Sequence, residues 1–213
     1  MLNYNNFINE AVKKKVSKEA TLIAAAKRGG NVKDIIKSGV NINAIDIDGK
    51  TALMHAVEGK YIVIAKQLLE AGADTNIIST AFNYTALMLA TTLKMIDLLL
   101  KFGANIDYKD KDGNTIISKC LKFNSNRWMI IPLIERGLDV DIKNNKGENF
   151  YEILKTTLKE KFDLNDQLSD GLSQLFEIEK YMDEKFPQYK DENETPYWYL
   201  WEIQQDMKKY NVW

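Results

Sequence analysis

The sequence predicts an all-α solenoid of stacked helix pairs joined by hairpin tips. About four repeats are expected, then a degenerate last one and a C-terminal helical cap or tail. Three observations lead there. The stretch Asp46-Ile47-Asp48-Gly49-Lys50-Thr51-Ala52-Leu53-Met54-His55-Ala56 returns, altered, as Thr80-Ala81-Phe82-Asn83-Tyr84-Thr85-Ala86-Leu87-Met88-Leu89-Ala90. Further copies begin at Asp110-Lys111-Asp112-Gly113-Asn114-Thr115 and Asn144-Asn145-Lys146-Gly147-Glu148-Asn149. Glycines at 39, 72, 103 and 137 stand 33, 31 and 34 residues apart, and each opens a Gly-x-Asn/Asp-x-Asn/Asp run. Apolar segments Ala65 to Leu69, Met95 to Leu100 and Ile130 to Ile134 precede the last three of those glycines, as second helices of a pair would.

The elements follow in order. Residues 1–17 are a short helix or arm, with Phe7, Ile8, Ala11 and Val12 on one face and Lys13 to Lys15 in solvent. Thr21 to Ala26 is an Ala-rich helix, slim enough for close packing. Gly29-Gly30 ends it, and Val32, Ile35 and Ile36 begin the next. Gly39, Gly72, Gly103 and Gly137 are left-handed helix stops. The Thr51 and Thr85 hydroxyls are placed to cap first helices. Ala52, Ala56, Ala86 and Ala90 keep those helices slim, and Leu53, Leu68, Leu69, Leu87, Leu99 and Leu100 fill the interface between units. Asn83 stands where the tip wants glycine, and asparagine tolerates that backbone. The third unit is about three residues short between its helices.

Past Phe150 the period fails. Phe150, Tyr151, Ile153 and Leu154 read as a last first-helix, 166–186 as a longer helix ended by Pro187, and 196–209 as a final helix started by Thr195-Pro196. The organisation is thus 1–17, arm; 18–158, repeat array; 159–213, an acidic, aromatic-rich extension. Residues 1–159 hold 23 Lys+Arg against 17 Asp+Glu, and residues 160–213 hold 6 against 13, so the extension either packs on the repeats or offers its own acidic surface.

Residues 18–158 resemble an ankyrin repeat array. The second unit carries the resemblance best, through Asp46, Gly49, Thr51, Leu53, Ala56, Leu68, Leu69, Gly72, Ala73, Asp74 and Asn76. The family's proline is replaced by Ala52 and Ala86 and its histidine by Met54 and Met88. The resemblance implies a non-enzymatic scaffold that binds a protein partner through a concave face of hairpin tips and first helices. Mapped onto this sequence, the contact residues are Ile47, Asp48, Lys50 and Glu58; Phe82, Tyr84 and Thr92; and Lys111, Asp112, Asn114 and Lys122. Phe82 and Tyr84 put two aromatics on one tip: either an inserted residue near Ser79-Thr80 tucks them in, or they are a contact hot spot.

Chemistry is absent from the pattern. The Asp-x-Asp-Gly tips have the outline of a calcium loop, but placing Gly49 sixth puts Ala44 first, where an oxygen ligand is needed. One histidine, His55, and one cysteine, Cys120, build neither a zinc site nor a triad. His55 is expected in a hydrogen-bonded structural role and Cys120 in the core. Their helices, two units apart, lie roughly 18 Å from one another at 8–10 Å per helix. No catalytic residue, cofactor or metal is expected. A second candidate surface is the aromatic cluster with Tyr197, Trp198 and Trp201, which either closes the last repeat or anchors a partner. The alternative function is accordingly an effector whose extension carries the main interaction. Its acidity argues against nucleic acid. No apolar run reaches the ~18 residues of a membrane span, the first residues lack the basic-then-apolar order of a secretory signal, and a single cysteine fits a reducing compartment. The expectation is a cytoplasmic monomer, in its own cell or delivered into a host.

Overall fold

A computed structural model describes residues 17–81, 83–122, 124–163, 170–190 and 195–200. The chain divides between Asn105 and Ile106 into two compact units. Among the described residues there is no strand, only one isolated bridge, Ile45 to Thr51, at a hairpin tip. The fold class is the expected one.

The first unit holds three helix pairs: α1 (Lys18–Arg28) with α2 (Lys33–Lys37), α3 (Ala52–Glu58) with α4 (Ile62–Glu70), and α5 (Ala86–Leu89) with α6 (Leu93–Lys101). First helices pack on first helices, α1 on α3 and α3 on α5, and α4 packs on α6. The small residues explain the closeness: Ala26, Ala52, Ala56, Ala65, Ala86 and Ala90 are buried with Leu53, Leu68, Leu69, Leu87 and Leu99. Leu100, expected beside them, is only half-buried.

Caps are where expectation and structure part. Ser17 Oγ accepts the Ala20 N–H at 3.0 Å, and Thr51 Oγ1 accepts the Met54 N–H at 3.2 Å. Thr85 does not follow. Its side chain makes no cap, and Oγ1 is buried without a hydrogen-bond partner. The helix it precedes spans four residues, against seven in α3, and Ala90 is already extended. That single turn is the shortfall read in the third unit.

The Gly-x-Asn/Asp-x-Asn/Asp runs turn out to be rungs. Within a run the first side chain folds the turn: Asn43 N–H donates to Asn41 Oδ1, Asn76 N–H to Asp74 Oδ1, and Asp141 N–H to Asp139 Oδ1. The second side chain reaches the next copy: Asn43 Oδ1 accepts the Asp74 N–H, and Asn76 Oδ1 the Asn105 N–H, each at 2.9 Å. In the second unit Asp107 Oδ1 accepts the Asp139 N–H at 2.9 Å. Backbone donors that loops leave orphaned are thereby satisfied.

The second unit contains α7 (Ile116–Lys122), a 3₁₀ helix (Asn124–Met129), α8 (Ile130–Glu135), α9 (Phe150–Asp163), α10 (Asp170–Lys185) and a 3₁₀ turn (Pro187–Tyr189). Pro132 sits in the first turn of α8, where its missing N–H costs least. Phe150, Tyr151 and Leu154 are buried, as a last first-helix requires. However, α9 runs 14 residues, twice the length of α3 or α7. The expected long helix is α10, which packs on α9, α8 and the 3₁₀ helix. Residues 1–16, Phe82, Trp201 and most of the expected 196–209 helix lie outside the described residues.

Candidate functional site

Each hairpin tip is built by one side chain. Asp46 Oδ1 accepts the N–H groups of Asp48 and Lys50 at 3.0 and 2.9 Å. Asp110 Oδ1 does the same for Asp112 and Asn114, both at 2.9 Å, and Asn144 Oδ1 for Lys146 and Glu148 at 2.9 and 3.1 Å. The exposed groups between them are therefore held on a fixed turn. In the third copy Ser79 takes this place: its N–H donates to Tyr84 O at 2.9 Å, and its Oγ accepts the Tyr84 N–H at 3.2 Å. The loop from Ser79 to Tyr84 is one residue longer than that from Asp46 to Lys50. Asn83 takes a left-handed φ of 55°, as Gly49, Gly113 and Gly147 do at the same place in the other tips. Tyr84 is half-buried.

Neighbouring tips are close. The Ala81 N–H donates to Asp48 O at 3.2 Å, and a Cβ on Gly49 would lie 2.3 Å from Thr80 N. In the second unit the Asn145 N–H donates to Asp112 O at 3.1 Å and Asn145 Nδ2 to Lys111 O at 2.9 Å.

In the first unit, Ile47 projects from its tip 98% exposed, with Asp48 exposed beside it. Lys50 Nζ meets Glu58 Oε1 at 2.6 Å, joining tip to first helix. Below them His55, 6% exposed, holds Asp46 Oδ2 through Nε2 at 2.7 Å. The sole histidine thus has the structural role expected of it. Burial pushes the Asp46 carboxyl up, but hydrogen bonds from His55 and from the Lys50 and Asp48 N–H groups outweigh this, and its pKa falls below the ordinary aspartate value. Thr92 stands off the first helix: it is the N-cap of α6, its Oγ1 accepting the Met95 N–H at 3.4 Å.

In the second unit, Asp112, Asn114 and Lys122 line one groove of about 610 Å³, with Lys111 exposed on the flanking tip. The opposite wall is α9, through Ile153, Thr156, Thr157 and Lys161, and Lys146 closes it at the tip side. Arg127, 3% exposed, lies on the floor, its Nε donating to Leu121 O at 3.1 Å. Burial lowers its pKa from the ordinary arginine value. Cys120 is core, and burial pushes its thiol up to about 12, so it is no nucleophile at neutral pH.

The extension is tied down by buried acids that sequence reasoning missed. Glu179 is fully buried, and its carboxylate takes Lys155 Nζ at 2.8 Å and the Trp198 N–H at 2.9 Å. Asp183 takes Tyr151 Oη at 2.8 Å and Trp198 Nε1 at 3.1 Å. Tyr189 stacks on Tyr151 and donates to Asp141. Tyr197 and Trp198 are half-buried, each with a lysine ammonium facing its ring, Lys155 and Lys180. The only signal was the alternation of Glu179 and Asp183 at helical spacing among apolar neighbours. Among the described residues there is no metal-binding cluster, and no helix is long and apolar enough to cross a membrane.

Comparison with known proteins agrees with this construction. A family profile described as ankyrin repeats (3 copies) matches residues 2–79 and 64–144. An ankyrin repeat protein of Acanthamoeba polyphaga mimivirus is 35% identical over 44% of this chain and 12% of its own length. Ankyrin repeat protein FPV031 of fowlpox virus is 30% identical over 70% of this chain and 46% of its own. The 26S proteasome regulatory subunit p28 of Saccharomyces cerevisiae is 29% identical over 59% of this chain and 56% of its own. The chain therefore spans less than half the length of the viral relatives. Ankyrin repeats are, in general, protein-interaction modules without catalytic activity. With the profile covering residues 2 to 144, the chain belongs to the ankyrin repeat family.

Proposed function

We propose that this protein is a non-enzymatic scaffold, acting as a cytoplasmic monomer, that binds a protein partner through its hairpin tips and the adjoining faces of its first helices. The observation that carries the reading is the tip architecture. Asp46, Asp110 and Asn144 spend their side chains on shaping the turns, which leaves Ile47, Asp48, Lys111 and Asp112 exposed on rigid supports. A preorganised, exposed apolar group such as Ile47 lowers the entropy cost of binding. The p28 relative is named for a multi-subunit assembly, a setting in which such a scaffold fits. The hydrogen bonds from Tyr151, Lys155 and Trp198 to the acids of α10 favour the extension as a cap over the extension as an effector.

The test is affinity capture with the full chain, wild type against Ile47→Ala/Asp48→Lys and Phe82→Ala/Tyr84→Ala, with a Tyr199→Ala variant for the extension, where the exposed Tyr199 ring stands edge-on to Trp198. Prey held by wild type and lost at least tenfold with a tip variant supports the concave reading. Prey retained by both tip variants and lost with Tyr199→Ala overturns it in favour of the extension.

A further inference from the structure

The second unit departs from the repeat pattern in one way that makes a site. In the inner copies a first helix ends after seven residues or fewer, as in α3, α5 and α7, and the opening α1 runs 11. In contrast, α9 continues for 14. At 1.5 Å per residue its second half raises a wall about 10 Å longer than a repeat provides. Thr157, Glu160 and Lys161, all on that added length, line the groove whose other side is α7. What is an open face in a regular copy is a groove of about 610 Å³ here, within the range of ligand-binding clefts.

Its charges are sorted along its length. At the helix end stand Lys122, the last residue of α7, Arg127 in the 3₁₀ helix and Lys161 in the last turn of α9, against the single acid Glu160. At the tip end Asp112 and Glu148 face Lys146. Glu148 already accepts Asn144 Nδ2 at 3.0 Å. Among the described residues the ammonium groups of Lys122, Lys146 and Lys161 form no ion pair or hydrogen bond, so three unpaired ammonium groups line a cleft that holds four cations against three acids. Packed neighbouring helices lie 8–10 Å apart, and α7 packs on α9. A cleft between them admits an extended chain more readily than a helix 10–12 Å across.

Building on the protein-interaction reading above, we propose that this groove holds an extended acidic segment of the partner protein, its carboxylates paired with Lys122 and Lys161 at the helix end and Lys146 at the tip end. Side-chain carboxylates meeting exposed lysines give selectivity and salt-dependent association more than raw affinity.

Fluorescence anisotropy on the full chain tests this. The probe is a labelled ten-residue peptide alternating glutamate and glycine, compared with its glutamine counterpart and with a single-stranded ten-nucleotide thymidine oligomer. The glutamate peptide is expected to bind at least tenfold tighter than either. Lys122→Glu/Lys161→Glu weakens it at least tenfold, and Lys122→Gln/Lys161→Gln gives an intermediate loss. Lys33→Glu/Lys37→Glu, the same charge change on exposed residues of the first unit, leaves it unchanged. Circular dichroism checks that each variant is folded. No binding, equal binding of the glutamine peptide, equal binding of the oligonucleotide, or equal loss in the Lys33/Lys37 control overturns the proposal. If the peptide fails while the Ile47 or Tyr84 variants still lose their prey, this site falls and the general reading stands. Loss of both readouts removes both.

Discussion

Two threonines at the same place in the motif should answer one substitution with opposite signs. Thr51 Oγ1 accepts the Met54 N–H at 3.2 Å inside a buried helix start. Thr51→Val keeps the β-branched shape and deletes the acceptor, leaving that N–H orphaned. Lost caps cost ~1 kcal/mol, up to about 2 where the donor is buried. Thr85 is 1% exposed and its Oγ1 has no partner. A buried hydroxyl without a hydrogen bond costs about 1–3 kcal/mol, and Thr85→Val replaces it with a methyl of nearly the same size. That variant should gain about 1 kcal/mol. With a urea m-value of about 2–3 kcal/mol/M, the midpoints move by roughly 0.4 M, down for Thr51→Val and up for Thr85→Val. Urea titrations followed by circular dichroism, at unchanged m, make the comparison. Equal destabilisation by both substitutions would refute the reasoning, because it would mean that Thr85 has a partner of the same worth as Thr51.

Other consequences follow from single contacts. Gly49→Ala forces both a φ of 70° and a Cβ 2.3 Å from Thr80 N, so it should destabilise by more than the ~1 kcal/mol that strain alone costs at Gly72, where a Cβ meets open space; thermal melts of the two variants compare them. Asp46 has its folded pKa below the unfolded value of about 3.9. The stability it adds is therefore complete above that value and is lost as pH falls through the folded pKa, and Asp46→Asn should lower the melting temperature at pH 7 by more than it does in acid, where the wild-type carboxyl is protonated in both states. Cys120, with its thiol near 12, should leave a thiol reagent such as DTNB unreacted at pH 8 in the native protein and react once urea unfolds it.

The parts of this molecule that repeat were readable, and the parts that occur once were not. Glycines 39, 72, 103 and 137 all take positive φ, because a helix stop is a local demand that one residue meets. The tip acids could be placed for the same reason: Asp46 and Asp110 bond to groups two and four residues away. Thr85 looked like Thr51 because four of the five following residues match. Its failure comes from where the helix ends, at Leu89, and that depends on packing. Thr92 was misplaced on the first helix by the same three-residue shortfall. The groove in the second unit was half-legible: Asp112, Asn114 and Lys122 could be read from the repeat, whereas Lys161 required knowing that α9 continues. The acids of α10 find Tyr151 and Lys155 across 32 and 24 residues, and no local pattern encodes such a pairing.

The rungs from Asn43 to Asp74, Asn76 to Asn105 and Asp107 to Asp139 fix where the chain tolerates changes of length. Each rung measures a constant five-residue run from its glycine, and none of the four runs has gained or lost a residue. The shortfall of three residues falls in the last turn of α5, and the insertion of one falls inside the tip from Ser79 to Tyr84. A gauge of this kind lets copies diverge in reach and in tip shape while their spacing stays the same. For anyone recombining copies between relatives, the splice points are the helix turn and the tip, and the five residues after each stop glycine are to be kept whole.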